Sequence, residues 1–218
     1  MDMTLVGFDR ESLVQYVARQ IERVVPDGFE TNSVIDAHLN EALLRLQTCI
    51  NAVKLWQINQ FDPLHSSQHC IFLYYLSHTI WKRTARSDVP VRLFLLNKAL
   101  HAIDCFYEVE LPEVFFIGHS VGIVLAKAIY GNYLVLYQNA TVGKNHGCAP
   151  TLQDGVILYP NSAIVGKCLV RQGSVISQGV SVINRDTQAS SLVFQSNNGA
   201  LIFKADQRAI LKDFFRGV

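Results

Sequence analysis

The sequence predicts an α+β chain: an α-helical domain over residues 1–106, a parallel β-helix over 107–187 and a short hairpin-and-helix tail over 188–218. Three observations carry this expectation. Apolar residues in the first hundred positions recur with helical spacing. From about Ile117 to Ile183 the dominant spacing becomes six residues. After residue 188 two short β-prone runs flank a turn and precede a last apolar helical stripe.

In the first domain, Asp9 is placed to cap a helix whose stripe is Leu13, Tyr16, Val17 and Ile21, and Pro26 with Gly28 ends it. Asn32 or Ser33 opens a second helix, reaching about Asn51, with Val34, His38, Leu39, Leu43, Leu46 and Ile50 on one face. Asp62-Pro63 marks a break. A third helix is expected from about Ser67 to Arg83 and a fourth from about Val89 to Phe106, with Pro90 in its first turn.

The second domain carries the repeat. Leu152, Leu158, Ile164, Val170, Ile176 and Val182 stand six apart, and four residues after the first five come Val156, Ser162, Cys168, Ser174 and Val180. Leu136, Ala140 and Val142 give a shorter run, and Ile117, Ile123 and Ile129 are again six apart. A chain that turns a corner every six residues winds three corners to a coil. Each flat side is a short strand stacked on the strand of the next coil. The aliphatic residue points inward and the small residue fits the corner. Gly155, Asn161, Gly166, Gly173 and Gly179 suit turns. One coil cannot bury its own inner face, so stacking supplies the stability.

In the tail, Ser191 to Lys204 reads as two strands joined at Asn197-Asn198-Gly199. Asp206 to Phe215 reads as a short helix whose apolar face is Ile210, Leu211, Phe214 and Phe215, suited to capping the open end of the coil.

Composition narrows the function classes. Half the 218 residues are hydrophobic, 17% are charged and the formal net charge is +1. That favours a well-buried core and gives no basic excess for nucleic acid. The five cysteines, Cys49, Cys70, Cys105, Cys148 and Cys168, match no metal or redox spacing, so no metal is expected and reduced thiols of a cytoplasmic protein are. No leader and no membrane span are expected.

Three segments resemble the hexapeptide-repeat, left-handed β-helix acyltransferases, and within them the serine acetyltransferases. Phe72-Leu-Tyr-Tyr-Leu-Ser-His-Thr-Ile-Trp-Lys-Arg is similar to the end of that family's helical domain. Val109-Glu-Leu-Pro followed by Ile117-Gly-His-Ser-Val-Gly-Ile-Val is similar to its lead-in and first catalytic segment. Val135 to Gly143, a loop, and Asp154 to Gly166 are similar to its central coils. The resemblance covers roughly residues 60–186. It implies the left hand of the coil, against the usual right-handed crossover. It also implies acetyl-CoA as co-substrate, a homotrimer or dimer of trimers, and a groove between subunits for the coenzyme.

The resemblance assigns roles residue by residue. His119, followed by Gly122, Ile123 and Val124, matches the histidine that takes the proton from the acceptor hydroxyl, work for which imidazole is suited. Its carboxylate partner is Glu110 by local pattern; Asp104 matches by distance along the chain. Asp62 of Asp62-Pro63 corresponds to an acceptor-binding aspartate, and His146 is a candidate stand-in for a second histidine. The loop from Gly143 to Thr151 extrudes four residues from the repeat, and such loops on rigid scaffolds carry binding. Gly143, Lys144, Ala163, Gly166 and Lys167, with Arg171 as an alternative cation, are the candidate coenzyme contacts. The chain departs from the pattern twice: Gly118 precedes the histidine where aspartate is frequent, and Cys148-Ala149-Pro150 stands for Arg-His-Pro. A serine carboxylate would be poorly held without those partners, so a sugar hydroxyl or amine fits at least as well. The expected function is acetyl-CoA-dependent O-acetylation of a small acceptor, serine or a sugar. N-acetylation of an amino sugar and a non-catalytic β-helix scaffold are the alternatives.

Overall fold

A computed structural model describes residues 3–206 and 209–218, and the chain divides into two compact units. One contains Met1–Asn51 with Trp56–Glu108; the other contains Ala52–Leu55 with Val109–Val218.

The first unit is helical. Helix α1 (Arg10–Val24) starts at a reciprocal cap: the Ser12 backbone N–H donates to the Asp9 carboxylate at 2.8 Å, and the Asp9 N–H donates to Ser12 Oγ at 2.9 Å. Its buried stripe is Leu13, Val14, Val17, Ala18 and Ile21. Helix α2 (Asn32–Ala52) buries Ile35, Leu39, Ala42, Leu43, Leu46, Cys49 and Ile50. Val34 and His38, expected on that stripe, sit half-buried at its edge, where His38 Nδ1 bonds the Val34 carbonyl at 2.8 Å. Helix α3 (Ser66–Thr84) is buried all round from Ser67 to Ile80, the mark of a central helix. Helix α4 (Asp88–His101) was expected to reach Phe106. It stops instead at Ala102, whose left-handed φ of 51° ends it without the glycine that would have signalled the stop. A two-residue parallel pairing joins Thr4–Leu5 to Gln60–Phe61.

The second unit is a parallel coil with three flat sides. On the first side, Phe115–Ile117, Leu134–Leu136, Ile157–Leu158, Val175–Ile176 and Ser191–Gln195 stack in parallel, closed by antiparallel Leu201–Ala205. The second side stacks Val124–Leu125, Thr141–Gly143, Ala163–Val165 and Ser181–Ile183. The third stacks Ile129–Tyr130, Thr151–Leu152 and Leu169–Val170. The expected six-residue column from Leu152 to Val182 lies inward and is fully buried or nearly so. The small residues form the corners, and several fasten them. Ser162 Oγ donates to the Tyr159 carbonyl at 2.7 Å and Ser174 Oγ to that of Arg171 at 2.6 Å. Cys168 Sγ makes the same bond to Val165 at 3.3 Å.

The first coil breaks the rhythm. Ile117 points inward, but Ile123 takes a corner, in the column of Ala140 and Ser162, and Leu125 is the inward residue of the second side. Ile129 lies outward, 65% exposed, and Tyr130 fills the inward place opposite Leu152. The uniform six-residue spacing of three isoleucines is therefore coincidental at two of its positions.

The tail hairpin forms as expected. The helix expected over Asp206–Phe215 is shorter: α5 spans Leu211–Phe214, and Gln207 and Arg208 lie outside the described residues. It covers the outer face of the first side. The Phe214 ring lies 5.7 Å from that of Phe116, and Phe215 stands edge-on to Tyr133 at 5.4 Å. On this outer face Val135, Ile157 and Val175 are nearly as buried as their inward neighbours.

Candidate functional site

His119 lies exposed in the corner that follows the first strand of the first side. The strand is pinned up to that point, since the Gly118 N–H donates to the Leu136 carbonyl at 2.9 Å. The chain then turns sharply through Ser120–Ile123, with Gly122 at φ +74°. A Cβ on Gly122 would lie 2.0 Å from Asn139 Oδ1, so both conformation and space require glycine there.

Gly118, Tyr137 and Tyr159 occupy one column on successive coils, each following a paired inward residue (Ile117, Leu136 and Leu158). The two tyrosine rings stack at 5.5 Å with planes 19° apart, and Phe214 meets Tyr137 edge-on at 6.3 Å. The Tyr137 ring leans over Gly118, where an added Cβ would stand 2.7 Å from Cε1. His119 faces the same ring, with centroids 6.4 Å apart. Burial, and then Tyr159, pushes the Tyr137 phenol above its ordinary range, so it stays protonated. The glycine before the histidine thus has a local physical reason: Tyr137 fills the space a side chain would need.

The other candidates fall in several places. Glu110 is exposed in the segment leading to the first strand. Asp104 bonds Lys98 at 2.7 Å in the helical unit. Asp62 also belongs to that unit, where its carboxylate accepts from the Leu64 N–H at 2.8 Å and fastens the turn before α3. His146 sits exposed at the tip of the extruded loop. Asn145 and Cys148 exchange backbone bonds at 2.9 Å, and His146 and Gly147 have φ of 47° and 79°, the mark of a type I′ hairpin.

Gly143, Lys144, Gly166 and Lys167 do come together. Gly143 pairs with Val165, and the Gly166 N–H donates to the Gly143 carbonyl at 3.0 Å, so both lysines leave the same corner on adjacent coils, exposed. Arg171 is engaged at 3.7 Å with Asp186. Ala163 lies on the outer face of the second side, in the column of Val124, Thr141 and Ser181. That side runs from the corner beside His119 to the corner of the two lysines, and its outward residues are small or aliphatic. Tyr137 was missed in the sequence; its spacing from Tyr159 across a register known only once coils are paired is the signal that would have found it. Among the described residues no group of three or more His, Cys, Asp or Glu is arranged to hold a metal, and no helix is long and apolar enough to cross a membrane.

No family model matches the chain. A serine acetyltransferase of Bacillus subtilis (strain 168) is 26% identical over 141 residues, covering 59% of this chain and 61% of that protein. Across the curated relatives the match spans 42% to 61% of their length. The solved serine acetyltransferase of Neisseria gonorrhoeae superposes with a TM-score of 0.71 at 16% identity, over 92% of this chain and 81% of that one. The Brucella abortus serine acetyltransferase in complex with coenzyme A gives 0.67 at 18% identity, over 91% and 84%. The chain therefore shares the fold of these solved proteins, N-terminal helices followed by a left-handed parallel β-helix. In this β-helix protein the corner that carries His119 is therefore built on glycine and tyrosine, and the extruded loop is a tight hairpin with Ala149 behind it.

Proposed function

We propose that this β-helix protein transfers an acetyl group from acetyl-CoA to a hydroxyl of a small acceptor, with His119 as general base. The observation that carries the reading is the exposed imidazole at one end of the second side, with Lys144 and Lys167 at the other. In the reaction, His119 takes the proton of the acceptor hydroxyl as its oxygen attacks the thioester carbonyl carbon. The tetrahedral oxyanion collapses, the C–S bond breaks, and the thiol leaves with a proton while the ester forms. The smooth outer face of small residues suits the pantetheine arm, and the lysines suit the phosphates. Glu110 is the proposed partner that steadies the imidazolium, Asp62 and His146 are proposed acceptor contacts, and Gly143, Ala163 and Gly166 are proposed backbone contacts of the arm.

Serine is the acceptor that the relatives' names supply, and a neighbour from Neisseria gonorrhoeae was solved in complex with serine. A sugar hydroxyl is the second reading, and the uncharged Gly118–Tyr137 surface beside His119 favours it. We further propose a homotrimer in the cytoplasm. Val124 and Ile129, 43% and 65% exposed on the outer faces, are the residues that would be covered by a neighbouring copy. Isothermal titration with CoA, followed by thiol release from acetyl-CoA over L-serine and a set of sugars, tests the function. A chain that binds no CoA is not this enzyme.

A further inference from the structure

Tyr137 has no catalytic or contact role among those assigned so far, yet its ring faces His119 with centroids 6.4 Å apart. It is held on three sides. Tyr159 stacks beneath it, Phe214 abuts its edge, and the Gly118 backbone lies against Cε1 with no side chain between. A ring fixed in this way presents its hydroxyl at a set point. Among the described residues that hydroxyl has no hydrogen-bond partner, although the ring itself is half-buried. A partly buried tyrosine ordinarily finds a partner for its O–H. Here the free donor stands beside the proposed base.

We propose that Tyr137 is an acceptor-binding residue, whose phenol donates a hydrogen bond to an oxygen of the acceptor while His119 receives the proton of the reacting hydroxyl. This rests on the function proposed above. A neutral donor at this place recognises a neutral oxygen, such as a neighbouring hydroxyl of a sugar, and gives no counter-charge to an ammonium. Gly118 belongs to the same device, because a side chain there would displace the ring. The phenol remains a donor throughout the physiological range, since burial raises its pKa.

The test compares the natural chain with Tyr137→Phe, which keeps the stack and removes only the oxygen. Acetyl-CoA is the donor, and L-serine and D-glucose are the acceptors in separate arms. The expected result is a rise in acceptor KM of about tenfold or more, the value of one lost hydrogen bond to substrate, with CoA affinity and thermal midpoint unchanged. Higher turnover on glucose than on serine is expected in the natural chain. A Tyr137→Phe chain within twofold of the natural one overturns the proposal. So does a fall in kcat at constant KM, which would make the phenol an oxyanion donor. Loss of CoA binding in the natural chain, or CoA binding without transfer to either acceptor, overturns the function beneath it, and this proposal with it.

Discussion

His69 Nδ1 and His101 Nε2 stand 2.9 Å apart inside the helical unit, one on α3 and the other at the last position of α4. One nitrogen must donate and the other accept, which two neutral rings satisfy and two cations cannot. Burial pushes both below the ordinary histidine value, and for His69 the neighbouring His101 adds to it. The Tyr16 and Phe72 rings also face His69, and neither supplies a negative charge.

The pair makes stability depend on pH. Both folded-state values lie below the unfolded value of 6.5, with His101 at about 4, so the unfolded chain binds more protons as pH falls. The contribution is complete above the unfolded value and is lost as pH drops from there towards the folded values. Between pH 7.5 and 5 the unfolding free energy of the full chain should fall by about 2–4 kcal/mol from this pair. Urea midpoints measured at both pH values check it. A His101→Gln chain should show a flatter dependence, and an equal slope in the two chains would contradict the assignment.

Most of the coil was legible because its signal is steric and periodic. Leu152 to Val182 point inward at a fixed interval, and Ser162, Cys168 and Ser174 are small because each closes a corner on the carbonyl three residues back. The first coil was not legible in the same way. Its corner beside His119 carries two extra residues and the next interval is one residue short, so Ile123 and Ile129 keep the spacing while losing the inward direction. Of the proposed site, His119 is offered by its place in the chain alone. Tyr137 stands eighteen residues away, and its proximity comes from coil pairing that a linear spacing does not encode.

Replacing His119 removes the proposed proton acceptor without touching a buried contact. His119→Ala should lower thiol release from acetyl-CoA by about 10²–10⁴-fold, the usual worth of a positioned general base, at unchanged thermal midpoint and CoA affinity. Full turnover in this variant would end the mechanism.

Gly118→Ala tests the close approach of Tyr137. The methyl group would meet Cε1 at 2.7 Å, so the ring must shift off Tyr159 and Phe214. The expected cost is about 1–3 kcal/mol in urea unfolding. Tyr137→Ala in the same chain removes the clash, so the double variant should be more stable than the sum of the two single effects predicts. A double-mutant cycle measures that coupling, and additivity within about 0.5 kcal/mol would show that the two positions do not meet.

Arg216 binds the tail to a distant stretch of the same unit. Its guanidinium donates to the carbonyl of Val53 and, at 3.1 Å, to that of Lys54, while its backbone N–H donates to the Ala52 carbonyl at 2.8 Å. The Lys54 N–H returns a bond to the Phe214 carbonyl at 2.7 Å. These bonds hold α5 where Phe214 covers Phe116 and braces Tyr137. Arg216→Ala removes the two side-chain bonds and leaves the backbone bonds, so a loss of about 1–3 kcal/mol is expected. Phe214→Ala opens a cavity over the first side and should be worse, about 3–5 kcal/mol. If the tail braces the site as well as the fold, Phe214→Ala should also raise acceptor KM, because Tyr137 loses its edge contact. Arg216→Lys, which keeps the charge but not the planar fork, should fall between the natural chain and Arg216→Ala. Equal midpoints for the natural chain, Arg216→Ala and Phe214→Ala would mean that the tail does not rest on the coil in solution.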